Sequence, residues 1–115
     1  MKAGARAEQT AARYLQHQGL RLLQSNYCCR FGEIDLVMED RGSLVFVEVR
    51  LRTRTEFGGA AASIDARKQH KLILAAQHYL SSVSPTPPCR FDAVLLGAAE
   101  GSEGIEWLKN AFQIG

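Results

Sequence analysis

The fold is decided by twenty residues, GEIDLVMEDRGSLVFVEVRL, which occupy positions 32–51. Residues 32–39 and 43–51 are dominated by Val, Leu, Ile and Phe, and Asp40-Arg41-Gly42 between them has the chemistry of a tight hairpin turn. This spacing predicts two antiparallel strands. With Arg41-Gly42 as a two-residue turn, Asp40 pairs with Ser43, Val37 with Phe46, Asp35 with Glu48 and Glu33 with Arg50. Side chains alternate along a strand, so Glu33, Asp35 and Val37 are expected on one face and Ile34, Leu36 and Met38 on the other. In the second strand Leu44, Phe46, Glu48 and Arg50 share a face, with Val45, Val47, Val49 and Leu51 on the reverse. Asp35 is therefore flanked by strand-forming residues, and Glu48 falls on an apolar row. Like charges facing each other across a strand pair repel, so an Asp/Glu couple in mid-hairpin calls for a cation between the two. Their oxygens are hard ligands of the kind Mg²⁺ or Mn²⁺ prefers. The alternative is a structural network in which Arg50 or Lys68 neutralises both acids.

Upstream, residues 4–18 are rich in Ala and Gln and read as a helix that Gly19 stops. At 100° per residue its apolar face holds Gly4, Ala11, Ala12 and Leu15, and Glu8 lies in the middle of that face. Glu8 is either an edge carboxylate reaching solvent, a partner for a buried base, or part of a functional acid cluster. Residues 20–27 form a short strand.

Downstream, residues 52–62 form a basic loop with Gly58-Gly59 that is expected to be flexible, and Ser63 is a candidate N-cap for a helix running to about Ser82. That helix carries a core stripe of Leu72, Ala75, Ala76, Tyr79, Leu80 and Val83, and Lys68 sits on the stripe one turn before Leu72. A lysine aimed inward beside an acidic centre, flanked by Arg67 and Lys71 and preceded by Arg50, Arg52 and Arg54, suits a phosphodiester substrate. Taken singly, Arg54, Arg67 and Lys71 are equally consistent with an ordinary solvated face. The Pro-rich stretch 84–88 breaks the chain, residues 91–96 read as a buried strand, and residues 105–112 as a strand or short helix. The order α-β-β-β-α-β-(β) makes the fold class α/β, with a mixed sheet flanked by helices in one domain spanning 1–115.

Composition narrows the chemistry. The 115 residues are 46% hydrophobic and 23% charged, which fits one globular domain and argues against disorder or low complexity. Fourteen Lys+Arg against twelve Asp+Glu leave a net charge of +2, too mild to announce nucleic acid by bulk electrostatics. Three cysteines, with neither a signal peptide nor a transmembrane run, point to a reducing cytoplasm and no membrane. No zinc spacing, P-loop or GxGxxG is present.

Glu8, Asp35 and Glu48-Val49-Arg50 in this order resemble the PD-(D/E)xK nuclease core. More closely, Gly32-Glu33-Ile34-Asp35-Leu36, Phe46-Val47-Glu48-Val49-Arg50, Phe57-Gly58-Gly59 and Lys68-Gln69-His70-Lys71 resemble the YraN family of proposed endonucleases, related to archaeal Holliday junction resolvases. The likeness spans essentially the whole chain. It implies a restriction-endonuclease-like fold and Mg²⁺- or Mn²⁺-dependent hydrolysis of phosphodiester bonds in DNA, branched or single-stranded. It further implies that Asp35, Glu48 and the Val49 carbonyl bind the metal and that Glu8 orients the attacking water. Arg50 departs from the lysine usual in the superfamily: an arginine can position and neutralise but cannot trade a proton, and Lys68 is the candidate to supply the missing ammonium. Arg52, Arg54, Arg67 and Lys71 are the expected nucleic-acid contacts, and cutting both strands of a junction would call for a homodimer. The competing expectation is a module of DNA repair or recombination that binds nucleic acid without cutting it.

Overall fold

The computed structural model describes residues 4–51, 64–97 and 104–112. Helix α1 (Ala5–His17) is followed by strands β1 (Arg21–Cys29), β2 (Gly32–Asp40) and β3 (Ser43–Leu51). Helix α2 (Ala66–Leu80) and strands β4 (Cys89–Leu96) and β5 (Ile105–Phe112) complete the chain. The strands form one five-stranded sheet in the order β1-β2-β3-β4-β5. Only β3 and β4 run parallel; the other neighbours are antiparallel, so the sheet is mixed as expected. A parallel pair needs a crossover, and α2 supplies it. The segment of undecided type is therefore a strand, β5.

The helices cover opposite faces. Ala11, Ala12 and Leu15 of α1 pack on Leu36, Met38, Val45, Val47, Val49, Val94 and Leu96. Leu72, Ala75 and Ala76 of α2 pack on Val37, Leu44, Phe46, Phe91 and Ala93. Alanine at each contact lets the helix axis approach the β-branched rows closely. The observed stripe of α2 follows the expected one through Leu72, Ala75, Ala76, Tyr79 and Leu80, while Val83 lies beyond the helix end and outside the core cluster; the N-cap of α2 is Asp65, whose side chain accepts from the Lys68 N–H at 2.8 Å. The helix thus starts after the expected position, and Ser63 lies outside the described residues. It also stops at Leu80, with Ser81 as C-cap, rather than near Ser82. The basic loop 52–62, with Arg52 and Arg54, likewise falls outside the described residues, whereas 84–88 is the irregular connection into β4.

The β2–β3 ladder follows the expected register from Asp40↔Ser43 through Val37↔Phe46 to Leu36↔Val47 and ends there. Asp35 against Glu48 and Glu33 against Arg50 are therefore not ladder pairs. Opposite Asp35, in the register of β1, Asn26 adopts φ 53°, a left-handed conformation. A second expectation is corrected at the same level of the sheet: Ile34 joins the α2-side cluster, while Leu36 and Met38 stay on the α1 side. Simple alternation fails there. Among the described residues no helix is long and apolar enough to cross a membrane.

Candidate acid pair and basic cleft

The site begins where the hairpin ladder ends. Beyond Leu36 the backbone of β2 no longer serves β3, and the Asp35 side chain takes over: its Oδ2 accepts the Val49 N–H at 2.8 Å. This bond fixes Asp35 at the divergence of the strands, almost fully buried. Glu48 projects from β3 toward the α2 layer and is 2% exposed. On one oxygen it meets two cations, with Arg50 Nη1 at 3.3 Å and Lys68 Nζ at 3.6 Å from Oε2. The inward aim expected of Lys68 is thus seen in the structure, and the first turn of α2 delivers it. A cleft of about 270 Å³ opens beside this centre, lined by Arg50, Asp65, Arg67, Lys68 and Lys71.

The other oxygens set the pair apart. Asp35 Oδ1 and Glu48 Oε1 are buried and accept from no N–H or O–H donor among the described groups, and the two carboxyls lie close enough to share a hydrogen bond when one of them holds a proton. The same sheet contains a contrasting case in Asp92 on β4, also fully buried. Asp92 Oδ1 accepts from Arg90 Nε and the Asn110 N–H, and its Oδ2 from Arg90 Nε and Trp107 Nε1 at 2.9 Å. Arg90 is itself anchored on Asp40 at 2.9 Å. A carboxylate buried for structural reasons is bonded on both oxygens; Asp35 and Glu48 are each bonded on one.

Electrostatics express the same deficit. Burial first, and then the neighbouring Asp35 charge, raise Glu48 from 4.5 to about 7, against the opposing pull of Lys68 and Arg50. Two species would satisfy the bare oxygens, a proton held between the carboxyls or a cation bridging them. A hard divalent ion fits the donor set, which consists of two facing carboxylates next to the Val49 backbone. Among the described residues no three His, Cys, Asp or Glu side chains gather into a metal-holding group, so a third acidic ligand is not part of this set.

Of the remaining candidates, Glu8 lies in the first turn of α1, half-buried, on the layer across the sheet from α2. Arg67 and Lys71 are exposed and line the cleft with Arg50 and Lys68. Sequence reasoning missed Asp65 and Asp92. Asp65 carried a usable signal, an N-cap residue directly before a helical run, whereas Asp92 in a continuous apolar strand carried none beyond its charge.

The uncharacterised protein family UPF0102 matches residues 7–96, which include Glu8, the acid pair and the whole of α2. The chain belongs to the UPF0102 family. A UPF0102 protein of Nitrosomonas europaea is 57% identical over 109 residues, covering 95% of this chain and 92% of its own. UPF0102 proteins of Nitrosococcus oceani and Nitrosomonas eutropha are 54% and 55% identical, covering 96% and 97% of this chain and 91% and 94% of theirs. UPF0102 is the YraN family of the resemblance, so that part of the sequence reading stands.

Proposed function

We propose that this UPF0102 protein is a metal-dependent endonuclease that hydrolyses phosphodiester bonds in DNA, with a PD-(D/E)xK type of site. The observation that carries the reading is the pair of bare oxygens on Asp35 and Glu48, two buried acids facing each other behind Arg50 and Lys68, which line a basic cleft. Such an arrangement stores repulsion that only a cation or a proton relieves. Asp35, Glu48 and the Val49 carbonyl would hold Mg²⁺ or Mn²⁺, which when bound supplies Lewis-acid stabilisation of phosphate charge and acidifies water.

The chain's own groups do the positioning. Val49 N–H locks Asp35 so that one oxygen faces away from the bond it has made. Arg50 and Lys68 neutralise Glu48 and present N–H donors to a phosphate entering the cleft. Lys68, a compact ammonium on a flexible stem where Arg50 is a planar fork, is the group that can orient the water nucleophile. Arg67 and Lys71 would hold flanking phosphates, whereas the water-orienting role that the resemblance implies for Glu8 would have to be exerted from the α1 layer, across the sheet from the cleft.

The test is cleavage of labelled single strand, duplex, flap and four-way junction with Mg²⁺ or Mn²⁺, by wild type and by Asp35→Asn. Metal-dependent products that vanish in the variant are expected. Arg50, already paired with Glu48, supports a second reading, a recognition module that binds nucleic acid without cutting it. Salt-sensitive binding with no products from any substrate would favour that reading over hydrolysis.

A further inference from the structure

The two hairpin turns of the β1-β2-β3 meander differ in a way that local energetics does not explain. The β2–β3 turn is Arg41-Gly42, with both residues at positive φ, 53° and 90°, as a tight hairpin prefers. The β1–β2 strands close at Cys29↔Gly32, so their turn positions fall to Arg30 and Phe31, neither of them a turn former. The conformational demand is passed to Gly32, at φ 145°. A bulky apolar ring and a cation at the tip of a tight turn break the local rule, and such breaks concentrate at functional sites.

The surroundings say what the turn could hold. The Arg30 guanidinium lies over the Phe31 ring, 4.8 Å from its centroid. The His78 ring meets Phe31 at 6.1 Å and 65°, and the Tyr27 hydroxyl is hydrogen-bonded to His78 Nδ1. Tyr27 packs edge-on against Tyr79, which packs against the core ring Phe46. Phe31 is thus held by a run of rings rooted in the core, while Arg30 remains exposed. The turn also adjoins the cleft: a Cβ on Gly32 would touch Lys71 Cβ at 3.8 Å, and Lys71 lines the cleft with Arg50 and Lys68. Along β2, Gly32 precedes Asp35 by three residues, about 10 Å at the rise of a strand.

We propose that the Arg30-Phe31 turn is a platform for an unpaired DNA nucleotide next to the acid pair, its base stacked on the guanidinium and ring and its phosphate drawn to Arg30. Rigid planar groups beside a cationic groove are how unpaired bases are held, because every base offers a π-face. In a duplex the bases are stacked on one another and unavailable to the platform. The inference rests on the reading of the cleft as a nucleic-acid site and adds a preference for substrates with a single-stranded segment at the cut.

Fluorescence anisotropy with the full chain in EDTA and low salt tests it, using a labelled oligothymidylate and a labelled duplex. Phe31→Leu keeps the apolar bulk against His78 and removes the aromatic face. It and Arg30→Ala should each weaken single-strand binding about tenfold while changing duplex binding less than about twofold, and Phe31→Tyr should bind as wild type. Single-strand affinity unchanged in Phe31→Leu but lost in Lys71→Ala overturns the platform and leaves the acid-pair reading intact. Wild-type protein that binds neither oligonucleotide overturns both. Binding that depends on Phe31, by a protein that cleaves nothing, keeps the platform and overturns only the nuclease.

Discussion

In metal-free buffer, the stability of the protein should fall as pH rises from about 4.5 to about 7, and Glu48→Gln should abolish that fall. The free carboxyl titrates at 4.5 and the folded one at about 7, because it is buried and faces Asp35. Below 4.5 both folded and unfolded chains hold the proton. Between the two values the unfolded chain has released it and the folded chain still carries it, so rising pH favours unfolding; above about 7 the difference is constant. At about 1.4 kcal/mol per pH unit, the displacement amounts to ~3 kcal/mol. An unfolding entropy of ~2.1 cal/mol/K per residue turns this into a drop in Tm of ~12 °C for a chain of this length. The assay is differential scanning calorimetry in EDTA across that pH range, reading wild type minus Glu48→Gln so that other carboxylates cancel. Lys68 and Arg50, 27% and 18% exposed at their side chains, keep enough water to tolerate the neutral partner. Mn²⁺ competes with the proton, so it should raise the wild-type Tm more at pH 8 than at pH 5 and leave the variant nearly unmoved. Parallel curves for wild type and variant would refute the account of the pair.

Three further outcomes are expected. Asp35→Asn should unfold within about 1 kcal/mol of wild type in metal-free urea titrations, because its carbonyl still accepts the Val49 N–H and its amide can donate to Glu48; a loss several times larger would make the acid structural. Asp92→Ala should cost ~3 kcal/mol in the same assay, as it strands the half-buried Arg90 Nε and Trp107 Nε1 donors, and a near-neutral result would contradict the contrast drawn between the two kinds of buried acid. If the protein cleaves, Lys68→Ala should lower kcat by ~100-fold with Kd for DNA changed less than ~3-fold. Equal losses in both would make Lys68 a binding group alone.

Much of this was legible in residues 32–51. The hairpin, its turn and its register to Leu36↔Val47 follow from alternation and turn chemistry, and the inward aim of Lys68 follows from its place on the α2 stripe. What could not be read has physical causes. Asn26 adopts a left-handed backbone that asparagine permits without requiring, and opposite it the alternation of β2 breaks between Ile34 and Leu36, which leaves Ile34 on the α2 side. Ser63 and Asp65 are both cap-forming residue types, and the sequence pattern alone does not choose between them; Asp65 is the one that accepts the Lys68 N–H. β5 was ambiguous because Asn110, at φ 53°, breaks its period of two.

The irregularities of β1 and β5 have a consequence beyond their own strands. Each interrupts an outermost strand: Leu23 is the extra residue of β1, and β5 slips against β4 between the pairings of Leu108 and Phe112. An unbroken border of free N–H and C=O groups templates the addition of another chain, and bulges deny it that template. Both borders of this sheet are blunted in this way, even though Leu23 leaves an apolar side chain 38% exposed on one of them. Strand-to-strand growth into fibrils or continuous intermolecular sheets is therefore disfavoured at either margin.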